Sequence, residues 1–295
     1  MESRCWGYHT RIDSSLWIKV CLLQGLLSLH FHGTAHPPPP RDSATIVIAS
    51  PINPSPHHRI SKEVRLHQQL QLHSTMILEH IALLNTKRII LASQSPRRKA
   101  ILNQLGLTSF IQTPSGYAED LDPTKYQPND FAIETARHKA VDVWNAAAAV
   151  ADTPDPDLVI AADTVVVLGN EILGKPKDFN DAVAILKKLS GSSHQVVTGC
   201  ALCFKTKSAY EAKSTEFTTH TFAVAATVHF AELSDAEIQS YVATKEPMDK
   251  AGAYGIQERG GAFVKGIEGD FYTVMGFPLH GFCSEMKSVV LPEWL

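Results

Sequence analysis

The chain has 295 residues, a hydrophobic content of 44% and a formal net charge of −3. That is enough for one large domain or two small ones with a sizeable core, and the charge gives no basis for general nucleic-acid or membrane binding. Five cysteines, at 5, 21, 200, 203 and 283, are too few and too scattered for a disulfide scaffold, so a reducing, intracellular setting is expected.

Residues 1–75 stand apart. They carry His-Pro-Pro-Pro-Pro at 36–40, further prolines at 51, 54 and 56, many histidines and little periodicity, which predicts a poorly ordered extension. The apolar stretch 16–29 is broken by Lys19 and Gln24 and falls short of the about 20 residues a membrane span needs. Preceded by Arg4 and Arg11 but interrupted at Asp13, it also reads as the apolar part of a signal peptide or as a mitochondrial presequence, and Met76 is an alternative start.

From about residue 88 the texture becomes regular. Arg88-IILAS reads as a buried strand. Ser95 is a good N-cap, Pro96 suits the first helical position, and Gly106 suits the stop of a helix carrying Ala100, Ile101, Leu102 and Leu105. Residues 130–149 predict a second helix, with Ile133, Ala136, Ala140, Val141 and Trp144 at helical spacing. ADTPDPD (151–157) is a loop. LVIAADTVVVL (158–168) is a nearly continuous apolar strand interrupted at Asp163-Thr164. A helix from Asn180 to Leu189, closed by Gly191, precedes strands at 195–204 and about 216–230, and Ser234 with Glu237 forms a capping box for a helix to about 244. The glycine-rich region 251–276 predicts turns and short strands. Apolar strands alternating with helices indicate an α/β domain whose sheet is covered on both faces. Cys200-Ala-Leu-Cys203 lies inside an apolar run with no second pair downstream, so a strand interior is favoured over a metal or redox role.

Candidate chemistry begins at LASQSPRRKAIL (91–102). A strand followed by Ser93-x-Ser95-Pro96 and a helix aims free backbone N–H groups out of the strand's end, where phosphate binds readily. Arg97 and Arg98 add forked donors, although adjacent cations at a helix start are otherwise disfavoured by the macrodipole. The alternative is that both are solvated surface residues. Asp163 within an apolar strand needs a partner or a job: it could orient or deprotonate water, hold a divalent cation, or accept backbone N–H bonds in a turn. Lys175 before Pro176 is held extended and could project into a cleft, and Lys139 sits on the second helix; either could also be a surface lysine. Glu119-Asp120 is an acidic loop that could bind a metal or be a solvated turn. In AGAYGIQ (251–257) the glycines permit close backbone approach, and the Gln257 amide can pair with a uracil or thymine edge, giving N–H to O4 and accepting from N3–H.

Together, LASQSPRRKAIL, SGYAEDLDP (115–123), ETARHKA (134–140), AADTVVVL (161–168), LGKP (173–176), KKLSG through VVTG (187–199) and EPMDKAGAYGIQERGGAFVKGIEGDFYTVMGFPL (246–279) closely resemble the Maf family of nucleoside-triphosphate pyrophosphatases. The resemblance spans about 88–290 within a domain taken as 76–295. It implies an α/β, Maf/ITPase-like fold: an elongated mixed sheet flanked by helices around a deep nucleotide cleft. It implies hydrolysis between the α and β phosphates, giving a nucleoside monophosphate and pyrophosphate. Asp163 would be the proton acceptor, and Arg97, Thr164 and Gln257 occupy positions linked to substrate choice. Ser93, Ser95, Arg98, Glu119, Lys139 and Lys175 would line the phosphate cleft. Glu119 and Asp163 would hold a divalent cation, Mg2+ or Mn2+. The AGAYGIQ form is similar to the branch acting on dTTP and UTP rather than the branch acting on 7-methyl-GTP, and modified pyrimidine nucleotides fit the same reading. Ala118 and Gln94 depart from the family pattern, and 144–157 is longer than in compact relatives.

The alternatives are a nucleotide-binding regulator of cell division, which would not need Asp163 to be active, and a pyrophosphatase for damaged purine nucleotides, which would have little use for Gln257. The expected partners are a nucleoside triphosphate and a second copy of the chain, with no nucleic acid and no membrane. The expected location is cytoplasmic.

Overall fold

The computed structural model of the chain describes residues 77–295. The expected extension 1–75, its apolar stretch, the alternative start at Met76 and the domain boundary there lie outside the described residues.

A 3-10 turn (Ile77–His80) and helix α1 (Ile81–Leu84) lead into strand β1 (Ile89–Leu91). Helix α2 (Pro96–Leu105) follows the predicted signals: the Ser95 side chain accepts the Arg98 N–H, Pro96 is the first residue, and Gly106 closes it at φ +97°. Strand β2 (Phe110–Gln112) and a loop precede α3 (Pro128–Ala148), the longest helix among the described residues. Strands β3 (Leu158–Leu168) and β4 (Glu171–Leu173) form a hairpin, followed by α4 (Phe179–Leu189) and β5 (Ser193–Phe204). After α5 (Lys207–Glu211) and β6 (Thr218–Phe230), α6 (Asp235–Ala243) opens on the capping box of Ser234 and Glu237. Three 3-10 turns between Glu246 and Phe263 precede β7 (Val264–Glu268), α7 (Phe271–Met275) and α8 (Leu279–Glu285). A π turn (Met286–Val290) and α9 (Leu291–Trp294) complete the described chain. The 251–276 region thus contains a helix as well as turns and one strand.

The seven strands form one mixed sheet in the order β2-β1-β3-β5-β6-β7, with β4 also on β3. β1 runs parallel to β2 and β3, and the other pairings are antiparallel. Side chains alternate along each strand, so the sheet has two buried faces. On one face, α3 packs Ala136, Ala140, Val143 and Trp144 over Ile90, Val159, Ala161 and Cys203, and Ala132 over Val165 and Val197. On the other, α2, α8 and α9 cover Leu158, Ile160 and Cys200 at one end, while α4 and α6 cover Val166, Val196 and Val228 at the other. Cys200 and Cys203 therefore point to opposite faces, and burial pushes their thiols up to about 12 and about 11. They cannot share a metal or form a redox pair.

One feature of the sheet creates the site. Along the same edge of β3, β1 pairs with Leu158–Ile160 and β4 pairs with Val166–Leu168. Residues 161–165 have no strand beside them on that edge. Asp163 and Thr164 sit in this gap, in the interior of the strand and not at its end.

Candidate active site

A cleft of about 500 Å³ opens at the gap, and it is lined by all ten residues singled out from the sequence: Ser93, Ser95, Arg97, Arg98, Glu119, Lys139, Asp163, Thr164, Lys175 and Gln257. Asp163 lies on the α3 face and Thr164 on the opposite face; the missing neighbour strand lets both reach one cavity.

On the α3 face the Lys139 ammonium bridges two carboxylates. It lies 2.8 Å from Asp163 Oδ1 and 3.0 Å from Glu119 Oε1, with only 8% of the residue exposed. Two of its three N–H groups are thereby occupied, leaving one. The position of α3 depends on Gly199, the register partner of Asp163 on β5. A Cβ there would lie 2.4 Å from the carbonyl carbon of Ala132 and the nitrogen of Ile133, so glycine lets the helix press onto the strand. The same helix fixes the acidic loop. Asp142 accepts hydrogen bonds from Ser115 Oγ (2.7 Å) and Gly116 N (2.8 Å), and the Tyr117 ring stacks on His138 at 4.8 Å. Glu119 then adopts φ +51°, a left-handed conformation that costs a non-glycine residue on the order of 1 kcal/mol or more. Burial acts to raise the Glu119 carboxyl pKa, but Lys139, Lys175 and Arg98 outweigh it and hold the group below its ordinary value. Lys175 is exposed at the rim and forms no ion pair among the described residues.

On the opposite face the start of α2 supplies donors. Arg98 gives Nε–H to Gly276 O (2.8 Å), Nη1–H to Ser93 Oγ (3.2 Å) and Nη2–H to Thr164 Oγ1 (3.2 Å). Guanidinium carries five N–H donors, so two remain for a ligand. Burial lowers the Arg98 pKa and Asp163 works against that; a guanidinium stays protonated in proteins. Ser93 Oγ also accepts the Ser95 N–H (3.1 Å), and Ser95 Oγ accepts the Arg98 N–H (3.4 Å). Both serine hydroxyl protons remain available, and the amides of Gln94 and Arg97 have no partner among the described residues. Six donors to an anion thus converge at one helix start with no acidic residue in its first turn.

Arg97 reaches across the cleft to Asp249 (3.5 Å) and Glu258 (3.7 Å). Lys250, which the sequence reading did not single out, is buried in the same wall. Its ammonium is fully spent on Glu246 O (2.6 Å), Asp249 Oδ1 (2.7 Å) and Glu258 Oε2 (3.2 Å). It holds the wall together, whereas Lys139 and Lys175 keep donors free. Its position inside EPMDKAGAYG was the available signal. The neighbouring backbone is tight: Gly252 has φ +69°, and a Cβ there would lie 2.6 Å from Val166 Cγ2. Val166, Val196, Tyr254 and Val274 give the cleft an apolar side, and Gln257, which also lines it, has a buried Nε2 with no hydrogen-bond partner among the described residues. A buried unpaired amide costs about 1–3 kcal/mol, which a ligand's carbonyl would recover.

Among the described residues no three side chains form a dedicated metal cage. Two carboxylates facing a cluster of phosphate donors nevertheless suit a hard cation of the Mg2+ type, which binds through one or two carboxylates plus substrate phosphates. The cleft therefore brings together cationic donors, carboxylates, apolar side chains and the Gln257 amide. No helix among the described residues is long and apolar enough to cross a membrane.

A dTTP/UTP pyrophosphatase of Aquifex aeolicus (strain VF5) is 50% identical over 192 residues, covering 65% of this chain and 90% of its own length. A dTTP/UTP pyrophosphatase of Bacillus cytotoxicus is 42% identical over 201 residues, 68% of this chain and 95% of its own. A Homo sapiens protein named probable bifunctional dTTP/UTP pyrophosphatase/methyltransferase is 43% identical over 209 residues, 70% of this chain; the match spans only 32% of that relative's length. The family described as Maf-like protein matches residues 88–289, and this chain belongs to the Maf family.

Proposed function

We propose that this chain is a nucleoside-triphosphate pyrophosphatase that hydrolyses dTTP and UTP to the monophosphate and pyrophosphate. The observation that carries the reading is the convergence of Asp163, Lys139, Arg98 and the start of α2 on one cleft. A triphosphate carries about four negative charges near neutral pH, and positioning with electrostatics supplies most of the acceleration in phosphoryl transfer. The two free N–H groups of Arg98, the serine hydroxyls and the amides of Gln94 and Arg97 grip phosphate oxygens. Lys175 and the third N–H of Lys139 offset the charge that develops on the leaving pyrophosphate. Asp163 orients water toward the α phosphorus and takes its proton, and the Lys139 bond keeps the carboxylate aimed.

Glu119 and Asp163 would hold a Mg2+ or Mn2+ ion, which when bound supplies further charge neutralisation on the phosphates. Gln257 reads the pyrimidine edge, and modified pyrimidine nucleotides would enter the same way. A cytoplasmic setting is proposed on the enzyme type and the cysteine usage, and a homodimer on family resemblance.

The test is pyrophosphate release from a panel of triphosphates with magnesium. Release from dTTP and UTP supports the reading. No release from any nucleotide points to a binding regulator, and release from inosine triphosphate alone points to a purine-clearing enzyme.

A further inference from the structure

Beneath the phosphate grip runs a buried polar chain that the catalytic reading does not use. Arg98 Nη2 lies 3.2 Å from Thr164 Oγ1, which lies 2.9 Å from Thr198 Oγ1, which donates to Thr273 O at 2.9 Å. Thr198 and Thr273 are fully buried. Only one proton arrangement satisfies every atom. Guanidinium only donates and a carbonyl only accepts. Thr198 must give its proton to Thr273 O, so it can only accept from Thr164. Thr164 in turn gives its proton to Thr198 and accepts from Arg98. The other acceptor near Thr164, Gly276 O, is 3.5 Å away and already takes Arg98 Nε–H at 2.8 Å. The carbonyl at the chain's end is itself fixed, because Asp270 caps α7 by accepting from Thr273 N (3.1 Å) and Thr273 Oγ1 (2.9 Å).

We propose that Thr198 is a positioning residue for polyphosphate binding: it takes the Thr164 proton, which turns a Thr164 lone pair toward Arg98, and so holds the Arg98 guanidinium with its free N–H groups toward the cleft. Without Thr198 Oγ1 the Thr164 hydroxyl is free to rotate toward Gly276 O, 3.5 Å away, its lone pair is no longer held toward Arg98 Nη2, and that anchor of the guanidinium loosens. This deepens the proposed function and rests on the cleft being a polyphosphate site.

The test is calorimetric binding of inorganic tripolyphosphate, without added divalent ion, to the full chain and to Thr198→Val, Thr198→Ser, Arg98→Ala and the Thr198→Val/Arg98→Ala double variant. Thr198→Val should weaken binding by about tenfold or more, as for hydrogen bonds that serve a charged group. Thr198→Ser should restore it to within about twofold, since the hydroxyl is kept. In the Arg98→Ala background Thr198→Val should cost nothing further in binding, while its lowering of the melting temperature persists; a merely structural role would instead weaken binding equally in both backgrounds. Equal losses in both backgrounds, a serine variant as weak as valine, or wild-type protein that does not bind tripolyphosphate would each overturn the proposal. Turnover of UTP by the wild type is measured separately. Its absence alongside the predicted binding pattern would remove the pyrophosphatase reading and leave the positioning role standing.

Discussion

Lys139 Nζ stands 2.8 Å from Asp163 and 3.0 Å from Glu119, so a single ammonium separates two carboxylates in a partly buried cleft. Remove it and like charges face one another, which disfavours ionisation. Lys139→Met should therefore lower kcat/KM at neutral pH by at least about a hundredfold, the scale of losing a general base. Lys139 is the main cation holding the Glu119 carboxyl below its ordinary value, so that group ionises only at higher pH without it. The acid limb of the pH–rate profile should move upward relative to wild type, and an unmoved limb would show that Lys139 does not hold the Glu119 carboxylate ionised for turnover.

Gly199 accounts for the close approach of α3. Adding a methyl group there meets helix backbone at 2.4 Å, and no side chain can turn aside to make room. Gly199→Ala should destabilise by about 3 kcal/mol or more, at the upper end of overpacking effects. Thermal or denaturant unfolding checks this, and a shift within about 0.5 kcal/mol of wild type would mean that the helix can withdraw freely.

His194 supplies a pH signature. It is buried on β5, its Nε2 lies 2.8 Å from the Tyr254 hydroxyl and its Nδ1 has no partner. Burial, with a smaller contribution from His229, lowers its pKa from 6.5 to about 4. The unfolded chain then binds the proton more readily than the folded one between those values. The stability gained from keeping His194 neutral is full above pH 6.5 and is lost as pH falls toward 4, amounting to roughly 3 kcal/mol. Comparing stability across that window, wild type should lose more than His194→Gln. Parallel curves would contradict the assignment.

Gln257 bears on nucleotide choice. Its unpaired Nε2 suits the O4 of uracil or thymine, and its carbonyl suits N3–H. Gln257→Ala should bring the kcat/KM values of UTP and CTP closer together by about tenfold or more, because paired hydrogen bonds discriminate more strongly than apolar contact. An unchanged ratio of UTP to CTP would remove the base-reading role.

Much of this arrangement could be read from the residues. Ser95, Pro96 and Gly106 bracketed α2, and Ser234 with Glu237 opened α6, because caps act locally. The apolar run 158–168 was the strand it resembled. The gap in the sheet was not legible. It arises from where β1 ends and β4 begins along β3, a matter of long-range register that no local pattern encodes. Asp163 and Thr164 read as an interruption of that strand, and only the gap beside them shows why two polar residues sit in its interior. Lys250 was overlooked because a lysine's burial depends on partners such as Glu258, brought in by the fold. Helices α8 and α9 were also missed; they are short and follow a glycine-rich region with weak periodicity. Thr198 looked like an ordinary strand threonine, and only its partners on β3 and α7 give it a role.

The central claim is that Asp163 activates water against a triphosphate gripped by the cationic cleft. Its most direct test is pyrophosphate release from UTP and dTTP under single-turnover conditions, comparing wild type with Asp163→Asn at saturating nucleotide. Asparagine keeps the size and the contact with Lys139 but cannot take a proton, so the rate should fall by at least about a hundredfold while nucleotide affinity changes little. A variant that turns over at near the wild-type rate would contradict the account.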